Sequence, residues 1–380
     1  SVAYADVIYP AFAFVVALIF FFLFVRKVFD WKVALLASAI LTVLPSYLFR
    51  TMAGVSDKEA LGMIFFYAGL YFFVSFFMEK KTWKGILFSV FAGISVGALW
   101  SVWGGIVFLT TSIGLFVLIL ILLGKLSERQ LWNYALFLFV TVLFLTVFFP
   151  LRAQFVGLLT APTSGILFLG LALGFFHHYI YEKDVFHVKK YYAQVPVMPV
   201  FLSFAFLVGL GILVLFLMFD VSFFTGRISN LYVTLIEPFG TNRWALTVAE
   251  SHQPYFTDWA GQFSLRYLVL VFLGVVFLFY ETFKSLGRQA YTFTSVFALM
   301  LLGISLNRYS SSGTFNGESQ LAILFYLGSI ALFFIYSIYL FHRLYTKERE
   351  VYDSFLTEIP YLYLFVTIFF VFLLIFQPIF

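Results

Sequence analysis

The chain has 380 residues; 63% are hydrophobic, only 11% are charged, and the formal net charge is +5. Soluble domains carry about 45–50% apolar and about 25% charged residues, so this composition excludes a soluble globular domain, a disordered chain and a collagen. With a mean hydropathy of +1.02 the sequence reads as an all-α polytopic membrane protein. There is no Cys, which excludes disulfides, thiolate metal sites and a Cys nucleophile.

Twelve apolar segments follow along the chain, at roughly 8–25, 33–49, 60–78, 85–103, 105–123, 134–150, 163–178, 197–219, 267–284, 290–306, 321–341 and 361–379. Each approaches the 17–25 residues a helix needs to cross about 30 Å of hydrocarbon, and the ten-residue alternation of a membrane barrel is absent. Residues 85–124 carry no charge. As one helix they would be about twice as long as the bilayer core is thick, so they must fold back. Trp100-Ser101-Val102-Trp103-Gly104-Gly105 is the natural turn, with Trp at the interface and Gly for the reversal. The 56 Phe and 23 Tyr suit lipid-facing and interfacial positions.

Alternate loops hold 16 of the 23 Lys and Arg residues, which makes those loops cytoplasmic and places both ends of the chain outside. The positive charge therefore reads as membrane topology, with no nucleic-acid partner. The whole chain is expected to form a single transmembrane domain (1–380), with external loops at 50–59 and 220–266. The abrupt start, without a signal peptide, and the Gln-Pro-Ile-Phe end suggest a piece of a longer protein.

In the first external loop, Asp57 and Glu59 are spaced so that both carboxylates can point at one hard divalent cation; solvated loop acids are the ordinary alternative. Arg50 ends the preceding apolar segment, either to orient Asp57 or contact an anion, or as a snorkelling anchor. The second external loop carries Glu250 and His252, and a lone external Glu or His is usually solvated. Arg308 follows a late span, where a guanidinium suits a phosphate or caps a helix. His177, His178 and His187 fall on the inner side, the first two as an interfacial pair rather than a metal site.

Taken together, Arg50-Thr51-Met52-Ala53-Gly54-Val55-Ser56-Asp57-Lys58-Glu59, the Trp-Gly-Gly-like segment Trp100 to Gly105, Thr247-Val248-Ala249-Glu250 and Arg308 resemble the ordered motifs of the oligosaccharyltransferase catalytic subunit, in its archaeal AglB-like form. The resemblance implies a GT-C-type helical bundle in a cell membrane, with its active site on the external face. It implies transfer of an oligosaccharide from a polyprenyl (dolichyl) phosphate or diphosphate to Asn in Asn-x-Ser/Thr acceptors. In that scheme Asp57 and Glu59 hold Mg²⁺ or Mn²⁺, Glu250 engages the acceptor amide, Arg308 holds the carrier phosphate and Arg50 orients the acids. The partners are then a lipid-linked oligosaccharide, an acceptor polypeptide and membrane lipid. The family's first external acidic motif and its C-terminal Trp-Trp-Asp-Tyr-Gly motif do not occur in these residues, so the 380 residues alone are expected to lack activity. Ser251 separates Glu250 from His252, which departs from relatives with His directly after the Glu. Another lipid-phosphate-sugar glycosyltransferase, such as a protein mannosyltransferase, is the alternative. A transporter would place more charge at mid-membrane.

Overall fold

The computed structural model of the chain describes residues 2–151, 154–192, 199–218, 225, 226, 229 and 254–376. Among these the secondary structure is helical, apart from one isolated bridge between Arg308 and Asn316. The helices are α1 (Val2–Val28), α2 (Trp31–Val43), α3 (Pro45–Thr51), α4 (Lys58–Met78), α5 (Thr82–Val102), α6 (Ile106–Leu122), α7 (Glu128–Phe148), α8 (Phe155–Thr160) and α9 (Pro162–Phe176). They continue with α10 (Lys189–Tyr192), α11 (Pro199–Met218), α12 (Phe256–Phe263), α13 (Leu265–Phe283), α14 (Arg288–Leu306), α15 (Gln320–Lys347), α16 (Arg349–Glu358) and α17 (Tyr361–Phe376). They form two compact units, Ser1–Leu207 and Val208–Phe380.

Eight described helices are long and apolar enough to cross a membrane, or up to ten if two bent pairs each count as one span. Among the described residues the other segments of the expected twelve depart from a single helix of full bilayer length for local reasons. Segment 33–49 is not one helix, because Pro45 pushes Leu44 out of the α region (φ −72°, ψ 117°). The chain therefore bends by 67° between α2 and α3. The last segment, α17, follows a 93° bend after the amphipathic α16, and Ile106–Leu122 and Pro199–Val214 are shorter apolar helices. The turn at Trp103-Gly104-Gly105 lies where the sequence placed it, between α5 and α6.

In the first unit, α5 packs on α7 through small residues four apart. A Cβ added at Gly93 would fall 2.7 Å from Val140 Cβ, and one at Gly97 would fall 2.9 Å from the Phe144 ring. Ser89, between Gly85 and Gly93, is fully buried. Lipid is as apolar as the helices, so dispersion at such close approach, rather than water exclusion, holds membrane helices together. Thr141 Oγ1 adds a hydrogen bond to Gly93 O at 3.3 Å.

Lipid-facing Phe is only part of the aromatic inventory. Phe73, Phe76, Phe77, Phe116 and Phe137 are fully buried in the first unit. In the second unit Phe279 stacks on Phe297 with centroids 3.9 Å apart, and Phe293 lies parallel to Phe333 at 5.6 Å. Aromatic faces and edges supply specific geometry where hydrophobicity no longer discriminates inside from outside.

Candidate functional site

The bend at Leu44–Pro45 sets up the first cluster. It turns α3 so that Arg50, in its last turn, faces the start of α4. Gly54 then reverses the chain at φ +86°, a conformation that costs Gly little and L side chains more. Its N–H donates to Val7 O of α1 at 3.2 Å.

Asp57 is the N-cap residue of α4, yet its carboxylate makes no capping hydrogen bond. It receives Arg50 Nη1 instead, at 2.5 Å, while Arg50 Nε lies 3.2 Å from Glu59 Oε2 in the first turn of α4. The three side chains are 35%, 25% and 24% exposed respectively. Two carboxylates thus converge on one planar guanidinium, whose fork suits such paired recognition.

Helix α1 contributes contacts that sequence reasoning missed. Tyr9 donates its hydroxyl hydrogen bond to Asp57 O, and Ser56 Oγ lies 3.4 Å from Asp6 Oδ1. Nothing in local spacing pairs residues about fifty positions apart; the only hint was two polar groups at the outer end of an apolar segment. Trp103 braces α4 from another side, with its ring centroid 6.0 Å from that of Phe66. A Cβ at Gly62 would fall 2.9 Å from Trp103 Cβ.

Arg308 lies in the second unit, just after α14. Its guanidinium sits over the Tyr255 ring, 4.4 Å from the centroid. Glu318 Oε1 lies 4.0 Å from Arg308 Nη1; the Glu318 side chain is 71% exposed, against 13% for that of Arg308. Phe256 N–H donates to Arg308 O at 2.9 Å and Thr257 N–H to Tyr309 O at 3.1 Å. Glu250, His252 and most of the 220–266 loop lie outside the described residues.

At the ends of α7 and α9, His178 Nδ1 approaches Glu182 Oε2 at 2.5 Å, and His178 Nε2 lies 3.4 Å from Glu128 Oε2. His177 is buried, with Nδ1 3.0 Å from Ser203 Oγ. His187 is exposed, 3.8 Å from Asp184. Residues His177–Glu182 form a π-helical turn, wound more widely than an α-helix. Among the described residues no group of three or more His, Cys, Asp or Glu could hold a metal ion.

A family model described as "Oligosaccharyl transferase STT3, N-terminal" matches residues 5–281. The dolichyl-diphosphooligosaccharide–protein glycosyltransferase subunit stt3 of Schizosaccharomyces pombe is 27% identical over 306 residues, covering 77% of this chain and 37% of the relative. The dolichyl-phosphooligosaccharide-protein glycotransferase 3 of Archaeoglobus fulgidus is 25% identical over 305 residues, covering 74% of this chain and 34% of the relative. The chain thus spans less than half the length of these relatives. The fold is similar to that of the Archaeoglobus fulgidus oligosaccharyltransferase in its apo form. The TM-score is 0.53 at 15% identity, over 95% of this chain and 44% of that one. A second structure, the archaeal oligosaccharyltransferase from the same organism in complex with an inhibitory peptide and a dolichol-phosphate, gives a TM-score of 0.50 at 15% identity, over 92% and 38% of the two chains. With multiple membrane-capable helices and a family match over well more than half its length, the chain is a multi-pass membrane protein that belongs to the oligosaccharyl transferase STT3 family.

Proposed function

We propose that this chain is the membrane-embedded part of an oligosaccharyltransferase acting on the external face of the cell membrane. It transfers an oligosaccharide from a polyprenyl phosphate or diphosphate to the Asn side chain of Asn-x-Ser/Thr acceptors. The observation that carries this reading is the convergence of Asp57 and Glu59 on Arg50 at the start of α4, in a chain of the STT3 family. The external loops 50–59 and 220–266 then serve one transmembrane domain.

The chemical problem is the acceptor amide, whose nitrogen lone pair is delocalised into the carbonyl; in peptides the rotation barrier is about 18–20 kcal/mol. A carboxylate accepting hydrogen bonds from the amide NH₂ favours a twisted, more nucleophilic geometry. Glu250 is assigned that role. Arg308 neutralises the carrier phosphate, which is a better leaving group once its charge is matched. Arg50 holds Asp57 and Glu59 in register.

Asp57 and Glu59 fit a hard divalent cation such as Mg²⁺ or Mn²⁺. Both offer oxygen donors, both already face a single positive group, and such cations commonly take one or two carboxylates with water completing the shell. Asp57 and Glu59 would hold the cation, which when bound supplies positive charge to orient the acids and stabilise charge developing in the reaction.

The test is Glu250→Gln in the complete enzyme, measured as transfer to an Asn-x-Thr peptide alongside carrier binding. Replacing the charge-assisted hydrogen bond with a neutral amide is expected to slow turnover by about 10²–10³ with carrier binding nearly intact. Turnover within about twofold of wild type would remove Glu250 from the mechanism.

A further inference from the structure

We propose that Tyr255 is the positioning residue that presents Arg308 to the carrier phosphate, a proposal that rests on the assignment of Arg308 to that phosphate above. Three observations converge. The Arg308 guanidinium lies 4.4 Å above the Tyr255 ring centroid. Its side chain is only 13% exposed, so few rotamers are open to it. The segments that carry the two residues are tied by backbone hydrogen bonds, Phe256 N–H to Arg308 O at 2.9 Å and Thr257 N–H to Tyr309 O at 3.1 Å. Tyr255 is itself held at the start of α12, where its N–H donates to Asp258 Oδ2 at 2.9 Å.

Stacking on an aromatic face engages the flat side of a guanidinium and leaves its N–H edges directed outward in the plane. Those edges match phosphate oxygens two at a time. Glu318 competes for the same edges, because its Oε1 lies 4.0 Å from Nη1. Glu318 is exposed and long, so the contact with the ring favours the guanidinium position open to a phosphate over one drawn toward the carboxylate. Tyr255 touches no reacting atom in this scheme; it acts through Arg308.

The experiment uses the complete enzyme in nanodiscs, with a dolichyl-phosphate-linked oligosaccharide as donor and an Asn-x-Thr peptide as acceptor. Tyr255→Leu is expected to raise KM for the lipid donor roughly tenfold while kcat and the peptide KM stay within about twofold, and Tyr255→Phe is expected to behave like wild type. Glu318→Gln added to Tyr255→Leu should recover part of the lost donor affinity, which a general loss of structure would not allow. Mono-, di- and trifluorophenylalanine at position 255 keep the ring's shape while weakening its negative face. The donor KM should therefore rise stepwise along that series, even if the Leu variant does not fold. A flat fluorination series, or an unchanged donor KM in Tyr255→Leu while Arg308→Ala raises it, overturns the positioning role alone. An unchanged donor KM in Arg308→Ala overturns the phosphate assignment beneath it.

Discussion

Arg50 and Arg308 are the same residue type at the ends of apolar segments, in contrasting surroundings that match the opposite work proposed for them. Arg50 is enclosed by Asp57 at 2.5 Å and Glu59 at 3.2 Å, with Asp6 reached through Ser56. In the proposed scheme this is the cluster that meets a divalent cation. Arg308 rests on the neutral face of Tyr255 with a mostly exposed Glu318 at 4.0 Å. In the proposed scheme this is the guanidinium that meets an anion, the carrier phosphate. The described contacts thus differ in kind, carboxylates around Arg50 and an aromatic ring beneath Arg308.

The most severe way to break this contrast is to remove an acid. In the complete enzyme, Asp57→Ala is expected to cost about 10² or more in turnover and to weaken dependence on Mn²⁺ or Mg²⁺, with Glu59→Ala costing about tenfold. Equal, near-wild-type activity in both variants, with unchanged cation affinity by calorimetry, would return the loop to an ordinary solvated turn.

A sharper test changes each arginine. Arg50→Gln removes a positive charge beside two carboxylates, so divalent-cation binding should tighten, by about 1 kcal/mol or roughly fivefold, while turnover falls because the acids lose their register. Arg308→Gln should weaken donor binding instead. Titration of both variants with Mn²⁺ and with donor would collapse the comparison if the two responded alike.

Smaller effects probe the supports. Tyr9→Phe deletes the hydrogen bond to Asp57 O, and such a bond contributes about 0.5–1.5 kcal/mol net. Cation affinity should fall about twofold to tenfold, with donor KM unchanged. Changes in donor KM but not cation affinity would place Tyr9 outside the acid cluster.

The smallest expected effect lies between α4 and α5. The Glu79 carboxyl is held below its usual range, first by the Lys81 N–H, with burial opposing, then by the Lys80 N–H and the charges of Lys84 and Lys27. A group depressed in the folded state stabilises above its unfolded value and loses that contribution as pH falls through its folded value. Stability should therefore decline slightly as pH falls below the ordinary carboxyl value of 4.5, and Glu79→Gln should flatten that decline in thermal scans at pH 7 and pH 3.5. An identical acid sensitivity in both proteins would exclude Glu79 as a contributor.

Much of this molecule was legible along the chain. Apolar runs of bilayer length become helices because an unpaired backbone amide in lipid costs several kcal/mol, and helices satisfy that demand within each segment. The reversal at Gly104-Gly105 followed from an uncharged stretch too long for one crossing. The acids and the Arg of 50–59 could be read as partners because they lie within ten residues of one another. Pro45 was equally visible, but the broken helix it produces was not anticipated, since an apolar run of bilayer length looks continuous to any hydropathy count.

Tertiary structure decided the rest. The sequence by itself determined a helical membrane protein, its motif order and its candidate acids and arginines. Whether Asp57 would cap α4 or bind Arg50 depended on a 67° bend between α2 and α3, and the support from Tyr9 depended on α1 lying beside that loop. The pairing of Tyr255 with Arg308 required α12 to return to the end of α14, through backbone hydrogen bonds between residues some fifty positions apart. Local periodicity reports the solvent each helix needs. Contacts between distant segments are chosen by close packing and hydrogen-bond geometry, which depend on all the helices at once and leave no periodic trace in the chain.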